Sequence, residues 1–269
     1  MEFFTILLSG LLGLVSPAGL VIDRTAESFI RSRFEVEQLQ VRVDNAPSHQ
    51  LLQGKVERVL IAGRGLQLKQ QDIRIAALEV ETDPIDLEPS SLGQEKPKFK
   101  RPFQAGVHLV LNQQDINQAL HSPAVVATLR DLGIEELGNL DDAEQRYNFV
   151  NPRMELLANN RLRFQVELRE QDNNQPLSIT VESGLGVVAG RQIQLVEPAV
   201  YVNQEAVTDE FVKAIATNVS QQLDLRNLEV YGLRARILQL KVNPQQLEIA
   251  AFLRVEPSAR FLESRRSSI

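Results

Sequence analysis

Polar and apolar positions alternate along most of this chain, with a period of two that predicts strands. In EQLQVRV, Leu39, Val41 and Val43 share one face. GKVERVLIAG and DIRIAALEVET follow. In the second, the apolar phase runs through Ile73 and Ile75 and resumes at Leu78 and Val80. A change of phase across Ala76-Ala77 predicts a bulge or bend. Residues 83–104 hold Pro84, Pro89, Pro97 and Pro102, which predicts an edge or loop. AGVHLVL alternates again through Val107, Leu109 and Leu111. Four further strands are expected at about 147–158, 161–170, 177–188 and 191–202, with Asn159-Asn160 and QDNNQ turning the chain between the first three. Two or three more close the chain, in LEVYGLRARILQLKV and QQLEIAAFLRV.

Helical spacing interrupts the alternation at a few places. Ser16-Pro17 is a helix start, and Val21, Ile22, Thr25, Phe29 and Ile30 then fall on one side of a helix ending near Arg33. Asn112 precedes a short helix carrying Ile116 and Leu120, and Ser122-Pro123 begins another. Val207, Phe211, Ile215, Val219 and Leu223 recur every four residues and predict a third amphipathic helix. DIRIAALEVETDP and QLEIAAFLRVEP resemble each other, each a strand split by Ala-Ala and ended by proline. Either a helix-plus-meander unit is duplicated or two Ala- and Leu-rich strands coincide. The fold class expected is α+β, a strongly bent antiparallel sheet wrapped around amphipathic helices.

Residues 3–22, FFTILLSGLLGLVSPAGLVI, carry no charge. Only residues 3–15 precede the helix start, about 20 Å at 1.5 Å per residue, whereas a spanning helix needs roughly 20 apolar residues. A signal peptide wants a positive leading region, and this chain begins Met1-Glu2. The expectation is a retained segment that touches a membrane through Phe3, Phe4, Leu7, Leu8, Leu11 and Leu12, or covers a groove; cleavage near Ser16-Ala18, and a span that continues through Pro17 with a kink, are the alternatives. The organisation expected is this segment (1–15), one domain (16–257) and a polar tail (258–269).

Composition removes several functions. Thirty-five acidic against twenty-nine basic residues give a net charge of −6, which disfavours nucleic acid as a partner. With no cysteine, thiolate chemistry and cysteine-held metals are excluded. His49, His108 and His121 are the only histidines, and none has metal-ligand spacing to another His or a carboxylate in a helix. AGRGLQL lacks the lysine and helix of a phosphate loop and reads as a tight turn between strands; ESGLGVVAG lacks a nucleophile elbow. No cofactor and no catalytic residue are expected. The basic run Lys96, Lys98, Lys100 and Arg101 reads either as protection of a sheet edge or as a contact for anionic lipid headgroups.

The segments RTAESFIRS, VRVDNAPSHQLLQGKVERVLIAGRGL, IAALEVETDPIDL and GVHLVLNQQDINQAL resemble the LmeA-like phospholipid-binding family, closest to its cyanobacterial and plastid branch. NPRMELLANNRLRFQVEL, VESGLGVVAGRQIQLVEPAV and LDLRNLEVYGLRARILQL extend the likeness from the opening residues to about Pro257. The resemblance implies a tubular lipid-binding (TULIP-type) fold, phospholipid and a membrane surface as partners, and a place in the cell envelope or thylakoid. It carries over no site residues. On the helical and strand periods, the candidate groove floor is Ile22, Phe29, Val207, Phe211, Ile215 and Val219, and the wall is Ile73, Ile75, Leu109, Phe164 and Val166. Two functions stay open: binding or transfer of phospholipid in such a groove, and a membrane scaffold or assembly factor whose interior is filled by its own side chains.

Overall fold

A computed structural model of the chain describes residues 30–32, 34–45, 48–69, 73–91, 98–123, 125–126, 147–170 and 176–259. The alternating segments are strands throughout. In the first half these are β1 (Phe34–Asp44), β2 (Lys55–Val56), β3 (Arg58–Leu68), β4 (Arg74–Thr82), β5 (Ile85–Asp86) and β6 (Phe103–Asn112), followed by helix α1 (Gln113–Leu120). In the second half come β7 (Tyr147–Leu156), β8 (Arg161–Glu170), β9 (Leu177–Val188), β10 (Gln192–Val202) and β11 (Glu205–Ala206). Helix α2 (Asp209–Gln222), a 3-10 turn (Leu225–Tyr231), β12 (Leu233–Val242) and β13 (Gln246–Val255) complete the order. The strands do not form the single sheet expected. They divide into a six-stranded sheet, β1-β3-β4-β6-β13-β12, a five-stranded sheet, β11-β10-β9-β8-β7, and the small pair β2-β5. The pairings are antiparallel.

Across the first sheet the register aligns Leu39, Gly63, Leu78, Leu109, Ile249 and Leu240 in one row. Leu66 and Leu78 are fully buried and Val59, Ile61, Ile73, Ile75 and Val80 nearly so, in one contiguous cluster. The change of phase in β4 takes place without a bulge. Pairing of β3 with β4 keeps one register from Leu60↔Glu81 to Gln67↔Arg74, while the buried side of β3 alternates through Val59, Ile61 and Gly63 and restarts at Leu66. Gly65 makes this switch in a left-handed conformation, φ 59°. AGRGLQL is therefore not a turn between strands, as its sequence suggests, but part of one strand. A Cβ on Gly65 would lie 2.3 Å from the Glu37 carboxyl carbon, so that side chain would have to move aside for any other residue.

The second sheet bends by a different device. β7 shifts register between Val150 and Arg153, and β10 shifts between Val196 and Ala199. Each irregularity holds an x-Pro pair, Asn151-Pro152 or Glu197-Pro198, with its first residue at positive φ (54° and 47°). Proline, which cannot donate to a ladder, is tolerated at such bulges. The hydroxyl of fully buried Ser183 contacts the carbonyls of Gly184 at 2.8 Å and Val196 at 3.1 Å, serving an acceptor at the second bulge.

Side chains and turns join the sheets where a bare edge would otherwise face water. Asn117 of α1 donates to Met154 O and accepts from Met154 N (2.8 and 2.7 Å), and Gln113 Oε1 accepts from Leu156 N (2.8 Å). α1 thus behaves as a further strand along β7. The turns of the second sheet meet β12 in the same way: Asn160 Oδ1 accepts from Val242 N, and Gly190 O from Ile237 N. Arg74 fixes α1 to the first sheet, donating to both carboxylate oxygens of buried Asp115 (2.9 and 3.0 Å) and to Glu37 (2.8 Å). LEVY does not begin the strand its sequence suggests. Asp224 accepts from Arg226 N at 2.9 Å and starts a 3-10 turn, which Gly232 ends at φ 76°. The helix expected before Arg33 lies outside the described residues except at residues 30–32, which are helical with Ile30 buried.

Gly65→Ala should destabilise the protein by about 1–2 kcal/mol, the cost of a left-handed L-residue, with displacement of Glu37 adding to it. Urea unfolding of the two proteins measures the difference.

Candidate functional site

The two sheets treat their apolar faces differently. On the second sheet, Met154, Phe164, Val181 and Val200 form a row across four strands; Val200 is buried and the other three are half-buried. Leu162, Ile179, Leu185 and Leu195 near this row are also half-buried, while Val166 and Ile193 are buried. In the middle of the first sheet the corresponding side chains of β3 and β4 are closed to water.

α2 shows the same partial cover. It packs along β10 and returns to the strand's start, where Gln192 Nε2 donates to Ser220 O and Leu225 N donates to Arg191 O. Glu210, Lys213, Thr217 and Gln221 make its exposed stripe. On the other side Phe211, Ile215 and Val219 are half-buried, and Asn218 is the one buried residue of the helix. A helix pressed into a sealed core would bury its apolar stripe instead. The helix packs on β10, and both it and the second sheet leave several apolar side chains partly open to water.

The residues singled out from the sequence fall into three groups. Phe164, Val166, Phe211, Ile215 and Val219 lie on this second-sheet and α2 surface, with half-buried Val207 just before the helix. Ile73, Ile75 and Leu109 belong to the first sheet's packed cluster. Ile22, Phe29, Lys96 and the opening residues Phe3, Phe4, Leu7, Leu8, Leu11 and Leu12 lie outside the described residues. Of the basic run, Lys98 and Lys100 are exposed and Arg101 pairs with Asp86 at 2.8 Å. Register carries Leu233 to Val255 and Val255 to Phe103. The 3-10 turn, with Val230 exposed at 75%, thus leaves the first sheet at the same end as Lys98 and Lys100.

The ionisable groups gather elsewhere. His108 sits on the polar face of the first sheet, 3.5 Å from Glu79 and 3.9 Å from Glu248. Arg64 donates to Glu79 at 2.6 Å and holds that carboxyl below its usual range, so the group stays ionised. His121 ends α1, its Nδ1 2.7 Å from Asn117 O, and Ser122 Oγ accepts from Val125 N. Among the described residues, no three His, Asp or Glu side chains are placed to hold a metal ion, and no helix is long and apolar enough to cross a membrane. The half-open surface offers hydrocarbon contact, which suits a ligand held by partition out of water.

A family model described as LmeA-like phospholipid-binding matches residues 14–252, nearly the whole chain. The chain belongs to the LmeA-like phospholipid-binding family. No curated protein and no solved structure matches it. Membership points to lipid binding.

The two sheets should respond differently to truncation. Leu78→Ala, in the sealed cluster, should cost about 2–5 kcal/mol of stability, and Phe164→Ala, on the half-open row, about 1–2 kcal/mol. Denaturant unfolding of lipid-free protein separates the two, and equal losses would mean that Phe164 is packed as tightly as Leu78.

Proposed function

We propose that this protein binds phospholipid by sheltering its acyl chains against the apolar surface of the second sheet and α2, and holds or transfers that lipid at a membrane. The observation that carries the reading is the half-buried row Met154–Phe164–Val181, together with the same partial exposure in Phe211, Ile215 and Val219. Each methylene moved from water onto such a surface is worth about 0.8 kcal/mol, so two acyl chains bind without a strong headgroup site.

The finer architecture in this reading is a tubular lipid-binding fold made of duplicated units within one domain. Its support is the placement of β4 and β13, the strands with matching Ala-Ala pairs, on either side of β6 in the same sheet. Each pair also lies beside an irregular outer neighbour: Gly65 in β3, and the register shift between Ile237 and Gln239 in β12. The membrane-facing end in this reading carries exposed Val230, Lys98 and Lys100, an apolar residue to enter the interface and cations for anionic headgroups. Residues 1–15 add a second membrane contact in the same reading.

Native mass spectrometry of protein purified in mild buffer should show a diacyl phospholipid bound, and the lipid-free protein should take up fluorescent phospholipid from vesicles. Protein without co-purifying lipid that also fails to take any up would overturn the proposal.

A further inference from the structure

Seven polar or charged residues are buried among the described residues: Thr82, Ser91, Asp115, Ser122, Ser183, Asn218 and Asp224. Six have partners that explain them. Thr82 Oγ1 accepts from Val59 N, Ser91 Oγ donates to Glu88 O, and Asp115 holds Arg74. Ser122 accepts from Val125 N, Ser183 donates to backbone carbonyl, and Asp224 accepts from Arg226. Asn218 is the exception. It is only 7% exposed, and among the described residues its side chain has no hydrogen-bond partner. A buried amide without a partner forfeits its bonds to water, a cost that folded proteins almost always avoid.

Its position on α2 gives this burial a meaning. Asn218 follows Ile215 by three residues and Phe211 by seven, one and two helical turns, so it lies in the stripe those residues form. That places a carboxamide, with two donors and an acceptor, within the surface proposed to seat acyl chains. A phospholipid is apolar except at its headgroup and at the ester carbonyls where its chains begin. Those carbonyls are acceptors, and they travel with the hydrocarbon into an apolar site.

We infer that the Asn218 carboxamide donates a hydrogen bond to an acyl-ester carbonyl of the bound phospholipid. The inference rests on the lipid-binding reading and deepens it: hydrocarbon contact supplies affinity, and Asn218 selects ester-linked chains and sets where they begin along α2. A ligand with ether-linked chains keeps the hydrocarbon and lacks the carbonyl, which leaves the amide unpaired in the complex.

The test compares a phosphatidylglycerol bearing two oleoyl ester chains with the analogue bearing two oleyl ether chains, each displacing a fluorescent phospholipid from full-length, lipid-free protein. Wild type should bind the diester about fivefold to tenfold more tightly, the size of one hydrogen bond within an apolar site. In Asn218→Leu, which keeps the volume and removes the amide, the two lipids should bind within about twofold of one another. Equal binding of the two lipids by wild type overturns the inference while leaving lipid binding intact, and this comparison does not need the variant to fold. An unchanged diester preference in Asn218→Leu also overturns it. Failure of wild type to bind either lipid overturns the lipid-binding reading itself.

Discussion

Hydrocarbon left in water costs about 25 cal/mol for each Å², and the two sheets of this protein meet that cost differently. The first closes its centre to water around Leu66, Leu78 and Val255, while Leu39, Val41, Leu247 and Ile249 toward its outer strands stay partly covered. The second leaves Met154, Phe164 and Val181 half-covered, with a helix that is itself half-covered. The first arrangement makes a stable folding unit. The family to which the chain belongs is described as phospholipid-binding, and under the function proposed acyl chains cover the second.

What allows one chain to do both is the way its halves are joined. α1 offers Asn117 and Gln113 to the edge of β7 as a strand would, and the turns at Asn160 and Gly190 meet β12. These bonds fix the second sheet at its edge and at one end without filling its apolar face with side chains. The x-Pro bulges then bend that sheet, and Ser183 serves a carbonyl acceptor there. Backbone pairing and polar side chains thus hold the second sheet in place, while several apolar side chains of β8, β9 and α2 stay partly open to water.

Much of this is legible in the sequence. Period-two alternation locates β7 to β10 to within two residues, and Phe211-Ile215-Val219 marks α2. The Ala76-Ala77 phase change is real in the burial of β4, which switches sides there. Its partner signal in AGRGLQL misleads because two glycines near one another suggest a turn, whereas one of them is a left-handed residue inside a paired strand. LEVY misleads for the opposite reason: its apolar pattern suits a strand, and the Asp224 cap and Gly232 together impose a 3-10 turn. The division into two sheets is not legible, since alternation fixes which way a side chain faces and says nothing about which strand lies beside it. Nor is the weight of Asn218. An asparagine in an amphipathic helix is ordinary, and only its burial without a partner among the described residues sets it apart.

Under the function proposed, hydrocarbon sits on the partly open apolar side chains of β8, β9 and α2. Photo-crosslinking with a phospholipid carrying a diazirine in mid-chain, followed by peptide mapping, tests it most directly. Adducts should concentrate in peptides covering residues 161–188 and 209–223. Efficient crosslinking confined to the first sheet, in peptides covering residues 58–112 and 233–255, would contradict it.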